Sequence, residues 1–113
     1  MDLAAAQAWF GALPQSEKAL VLLGIMWEFT LIMRDISLRY PDDCEMRWRL
    51  AYHLSEMNHR FASAASAMMK GEATFPGDVL MEILLDQSSY PELETQCRYA
   101  LDRVIRLHGI KQA

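Results

Sequence analysis

The sequence predicts an all-α fold: a small bundle of about five helices built on a long antiparallel helical hairpin. Three observations predict it. Apolar residues recur at spacings of three and four along separate stretches, the period of a helix with one buried face. Glycine and proline fall between those stretches, with Gly24 as the exception. No stretch sustains the alternation of a strand. With 113 residues, 52% of them hydrophobic, the chain has apolar surface for one core and too little length for two, so it reads as one domain over 1–113.

The first helix is expected from about Asp2 to Ala12, with Asp2 as N-cap, an alanine-rich start, and Trp9 and Phe10 to dock it. Pro14 and Ser16 open a long second helix, Ser16–Tyr40. Pro41 cannot continue that helix, and it disfavours helical backbone at Tyr40 as well. Asp42 and Asp43 suit the cap and the positive end of a third helix, Asp43–Lys70, and Gly71 is a natural left-handed stop. A loop with Thr74, Pro76 and Gly77 follows, and Asp78 starts a short fourth helix to about Asp86. The last helix begins near Pro91, a favoured first-turn residue, and ends at His108–Gly109. The connection between the two long helices is short, so they pack as an antiparallel pair. Counting outward from that turn places Glu28 level with Ser55 to His59.

Charge and motifs exclude several classes of function. The net charge is −4 and basic residues alternate with acids, as Arg98, Arg103 and Arg106 do with Glu94 and Asp102. That is a solvated face rather than a reader of nucleic acid, and the long pair does not fit a helix-turn-helix. The most apolar run, Ala19 to Met33, is too short for a membrane span and contains Glu28. Met1-Asp2-Leu3 lacks the basic start of a secretory signal. Cys44 and Cys97 match no metal or CxxC spacing and read as reduced, partly buried thiols of a cytoplasmic protein. Phosphate loops, dinucleotide fingerprints and a nucleophile elbow are all missing, so an enzyme is not indicated. No characterised family is recognisable; the general look is that of small bacterial helical proteins, which carries over no functional residue.

The long helices carry more apolar surface than one partner needs. On the third helix, Leu50, Leu54, Met57, Phe61, Ala64 and Met68 form a core stripe. A second seam, Trp48, Tyr52, Ser55, His59, Ala62, Ser66 and Met69, has the same 4-3 rhythm and lies nearly opposite. Its aromatics are anchors, and its small residues let another helix come close. On the second helix, apolar residues including Trp27 cover most of the circumference, leaving a narrow stripe of Glu17, Gly24, Glu28 and Asp35. Glycine inside a helix costs about 1 kcal/mol against alanine, so Gly24 suggests a close backbone approach. Either the short helices wrap the long pair and bury these surfaces, or the chain is a subunit and another protein covers them. The second is favoured, with Trp27, Trp48, Tyr52, Ser55, His59, Ala62 and Ser66 as interface residues of a homodimer, adaptor, regulator or inhibitor.

One constellation points to different chemistry. Glu56-Met57-Asn58-His59 has Glu-x-x-His spacing, which places two ligands one turn apart, as in di-metal helical bundles. Glu28 lies at the same level and His53 one turn earlier. The alternative function is therefore a metal- or small-molecule-binding bundle using Glu28, Glu56 and His59. No cofactor is predicted beyond that metal ion. The motif occurs once, and both of its residues point away from the core stripe, so a metal there needs the second seam to be covered.

Overall fold

In the computed structural model, which describes residues 2–72 and 77–112, the chain folds into five α-helices. These are α1 (Leu3–Gly11), α2 (Gln15–Arg39), α3 (Glu45–Met69), α4 (Gly77–Leu85) and α5 (Glu94–Gln112), with a 3-10 turn at Pro91–Leu93. No strand occurs among the described residues. The bundle is all-α, as expected, and α2 and α3 pair as the long hairpin. Thr74 and Pro76, expected in the loop before α4, lie outside the described residues.

Most helix ends follow the local chemistry of the sequence. The Asp2 carboxylate accepts the Ala5 amide at 2.8 Å and caps α1. Tyr40 sits at φ −114° and ψ 139°, the extended backbone that Pro41 demands, and this ends α2. Gly71 takes φ 73°, and the amides of Gly71 and Glu72 return to the carbonyls of Met68 and Ala67 at 3.2 and 2.8 Å. That pair of bonds is a Schellman motif, and it satisfies the last carbonyls of α3.

Two ends differ from expectation. Neither Asp42 nor Asp43 caps α3; the N-cap is Cys44, without a side-chain bond. Asp42 is used elsewhere. Its carboxylate pairs with Arg47, and its carbonyl accepts the Trp48 indole N–H at 2.9 Å. The turn is thus tied to side chains of the first turn of α3 rather than to its amides. At the other terminus, α5 passes through Gly109 to Gln112. His108 explains the extension. Its ring stands edge-on to Trp9 at 5.9 Å and its Nε2 lies 3.5 Å from Glu17, so α1 and α2 hold the turn that Gly109 would otherwise end.

The core follows the expected stripe. Leu50, Leu54, Met57, Phe61, Ala64 and Met68 of α3 are buried with Leu22, Ile25, Phe29, Ile32 and Ile36 of α2. Phe29 and Phe61 meet edge to face at 5.4 Å in the middle of the hairpin. Helix α5 packs on α2 and α4, and α1 packs on α4. Buried Gln87 fastens the segment after α4. Its amide donates to the carbonyls of Ile83 and Leu84, both at 3.0 Å, and its oxygen meets His53 Nε2 at 2.9 Å. His53 in turn stacks on Tyr90 at 4.3 Å. The short helices therefore gather on the core side and do not wrap the hairpin.

Candidate interaction surface

The narrow polar stripe of α2 is the seam on which α5 docks. Glu17 meets His108, Gly24 backs onto Val104, Glu28 binds Arg103, and Asp35 accepts the Gln96 amide at 2.6 Å. Numbers rise along α2 as they fall along α5, so the two helices run antiparallel. Glu28 is 4% exposed. Arg103 Nε reaches both its oxygens at 3.0 Å and Nη2 reaches Oε2 at 2.6 Å. These hydrogen bonds from a charged fork raise the guanidinium pKa above its ordinary value, against a smaller opposing effect of desolvation. The buried charge is thereby compensated within the chain. At Gly24 a methyl group would lie 3.5 Å from both Val104 methyls, which is ordinary contact. The close approach expected there exists, and it still leaves room for alanine.

With the polar stripe turned inward, a neighbouring apolar stripe is left outside. Leu20, Leu23, Trp27, Leu31 and Leu38 are all exposed. The second seam of α3 is open too. Trp27 is 64% exposed, Trp48 66% and Tyr52 70%. Met69, Ser55 and His59 are exposed as well, and Ala62 and Ser66 are half-buried. The two stripes join around the hairpin. Leu20 and Leu23 share with Met69 a groove of about 730 Å³ at its open end. Further along, Thr30 and Met33 face Ser55 and Asn58 across a groove of about 200 Å³. Trp48, Tyr52 and Tyr90 line a third depression near the turn.

The drawn metal ligands are not brought together. Glu28 is taken up by Arg103, His53 by Gln87 and Tyr90, and Glu56 and His59 are exposed on the outer side of α3. Among the described residues, no group of three or more His, Cys, Asp or Glu side chains is placed to hold a metal ion. The expected level was right, since Phe29 meets Phe61 and Thr30 faces Ser55. Direction is what differs. Adjacent helical residues point about 100° apart, so Phe29 faces α3 while Glu28 faces α5.

Sequence reasoning named the aromatic anchors and missed Leu20, Leu23, Leu31 and Leu38. A signal for them existed: Leu20, Trp27, Leu31 and Leu38 repeat the 7-4-7 spacing of Glu17, Gly24, Glu28 and Asp35, three residues further on. Two adjacent stripes of that kind cannot both face one short helix. No family model matches the chain, and neither a curated protein nor a solved structure does. Among the described residues, no helix is long and apolar enough to cross a membrane.

Proposed function

We propose that this chain is a non-enzymatic protein–protein interaction module, a small helical subunit that works as an adaptor, regulator or inhibitor by covering another protein's surface. One observation carries the reading: α2 turns its polar stripe to α5 and leaves Leu20, Leu23, Trp27, Leu31 and Leu38 in solvent. An isolated chain gains nothing from that arrangement, because exposed apolar area is unfavourable at about 25 cal/mol per Å². Continuous apolar patches of this kind mark interaction sites. Trp27, Trp48 and Tyr52 are the anchors, since interface energy concentrates in buried aromatics.

The test is a pull-down of the tagged chain from its native host, compared with Trp27→Asp and Tyr52→Asp and weighed by native mass spectrometry. Both side chains are exposed, so both variants should keep their helicity and melting temperature while losing the chains that associate with the wild type. If the variants retain the same associated chains, or the wild type has none, the proposal is wrong. If a variant unfolds instead, its aromatic belongs to this chain's own core.

A further inference from the structure

The second seam of α3 has an order that selects a particular occupant. Its positions are 48, 52, 55, 59, 62, 66 and 69, and they are symmetric about His59 to within one residue. In an antiparallel pairing of two such helices, residues whose numbers sum to about 118 face each other. Trp48 then faces Met69 of the other copy, Tyr52 faces Ser66, Ser55 faces Ala62, and His59 faces itself. Any 4-3 seam has this symmetry of spacing. Side-chain size is the informative part. The two bulkiest side chains, Trp48 and Tyr52, stand at the N-terminal end, and Ala62 and Ser66, followed by the unbranched Met69, fill the C-terminal half. The antiparallel pairing therefore sets Tyr52 against small Ser66 and Trp48 against flexible Met69, with small Ser55 and Ala62 meeting near the axis. A parallel pairing would set Trp48 on Trp48 and Tyr52 on Tyr52 at one end and leave a gap between Ala62 and Ser66 at the other.

Charge agrees. Glu45 and Lys70 are both exposed, at opposite ends of the seam. The antiparallel register brings Glu45 within a turn of Lys70 of the other copy, whereas the parallel one sets Glu45 against Glu45. The same two-fold axis meets α2 at Thr30, which lies level with Ser55 and Asn58 across the groove. There the register sets Trp27 near Arg34 and Leu23 near Ser37 of the other copy, and Thr30, Arg34 and Ser37 are all exposed. The stretch from Trp48 to Met69 is about 32 Å long at 1.5 Å per residue, and two helices side by side are about 20 Å wide. That face offers about 650 Å², close to the ~800 Å² that each partner contributes to a standard interface.

We infer that the occupant of this face is a second copy of the chain, docked through a two-fold axis beside His59 and Thr30 so that two hairpins stack into an antiparallel four-helix layer. The inference rests on the reading of the outer hairpin as an interface and adds the partner and its register. It assigns Trp48 and Tyr52 to the contacts between copies, and it leaves Leu31 and Leu38 at the rim, beyond the paired face.

Disulfide trapping in a Cys44→Ser background tests the register. Buried Cys97 is inert there. At an interaxial distance of about 10 Å, facing Cα atoms on helices of about 2.3 Å radius lie about 5 Å apart, within disulfide reach. His59→Cys alone should give a covalent dimer under mild oxidation. So should Trp48→Cys combined with Met69→Cys, while Trp48→Cys alone should not. Sedimentation equilibrium of the unmodified chain should show a dimer, and Tyr52→Asp should weaken it at least about thirtyfold, the loss typical of an aromatic anchor. Circular dichroism confirms that each variant is folded.

Trapping through Trp48→Cys alone overturns the antiparallel register, because only a parallel pairing sets Trp48 against itself, whereas His59→Cys would trap in either. A monomeric wild-type chain overturns the second copy as partner; the interaction-module reading then survives only if the host pull-down still recovers a chain that Trp27→Asp loses. A monomer with no associated chain of any kind overturns both.

Discussion

Glu28 shows what a single residue can hide. It stands in the most apolar run of the sequence, where a carboxylate signals chemistry. Its partner, Arg103, lies 75 residues away, and the pair satisfies the charge with three hydrogen-bond contacts. Arg103→Ala would leave a buried acceptor unpaired. It should destabilise the fold by about 1–3 kcal/mol, read as a lower denaturation midpoint at unchanged slope. Lysine should restore only part of this, because an ammonium lacks the planar fork. By contrast, Arg49 and Glu45 form an exposed i, i+4 pair at 2.8 Å, and removing it should cost less than about 1 kcal/mol. At this scale the sequence identified Glu28 as unusual and could not name the group that neutralises it. Helical spacing places residues within an element and says nothing of what a distant helix presents to them.

At the scale of the element, two glycines make opposite predictions. Gly24 lies inside α2 with ordinary backbone, and a methyl there meets Val104 at a comfortable 3.5 Å. Gly24→Ala should therefore stabilise the protein by up to about 1 kcal/mol through helix propensity. Gly71 has φ 73° with open space around its Cα. Gly71→Ala should cost about 1–2 kcal/mol, because an L residue is strained in that conformation whatever the room around it. Thermal melts of the two variants should shift in opposite directions. The helix ends show how far local rules reach. Asp2, Pro41 and Gly71 act through their own backbone and were legible. Asp42 was not, since its carboxylate is drawn to Arg47 and its carbonyl holds the Trp48 indole. Gly109 was misread because His108 is held by Trp9 and Glu17.

For the whole molecule, Cys97 is a reporter of how firmly α5 is docked. It is fully buried, and burial alone pushes its thiol from about 9 to about 12. The folded state therefore holds the thiol proton more tightly than the unfolded chain does. That contribution is fully present below about pH 9 and is lost as pH rises from 9 toward 12, so stability should decline across that alkaline window. At neutral pH a thiol reagent should modify half-buried Cys44 in the native protein and reach Cys97 only when the bundle opens. Modification of both thiols at one rate would mean that α5 leaves α2 without global unfolding.

The sequence by itself determined the all-α class, the five helices, the hairpin, the core stripe of α3 and the excess of apolar surface on both long helices. Those follow from local periodicity and from residues that act on their own backbone. Only the tertiary structure decided where that excess goes. Glu17, Gly24, Glu28 and Asp35 could have faced water, and Trp48 and Tyr52 could have lain under the short helices. Instead α5 supplies His108, Arg103 and Gln96 to the polar stripe, and the short helices gather on the core side. A buried charge is satisfied only by a specific partner, whereas apolar surface accepts any cover. The docking of α5 thus combines its buried Cys97, Ala100, Leu101 and Val104 with polar partners for the stripe of α2, and the apolar remainder of the hairpin is left outside.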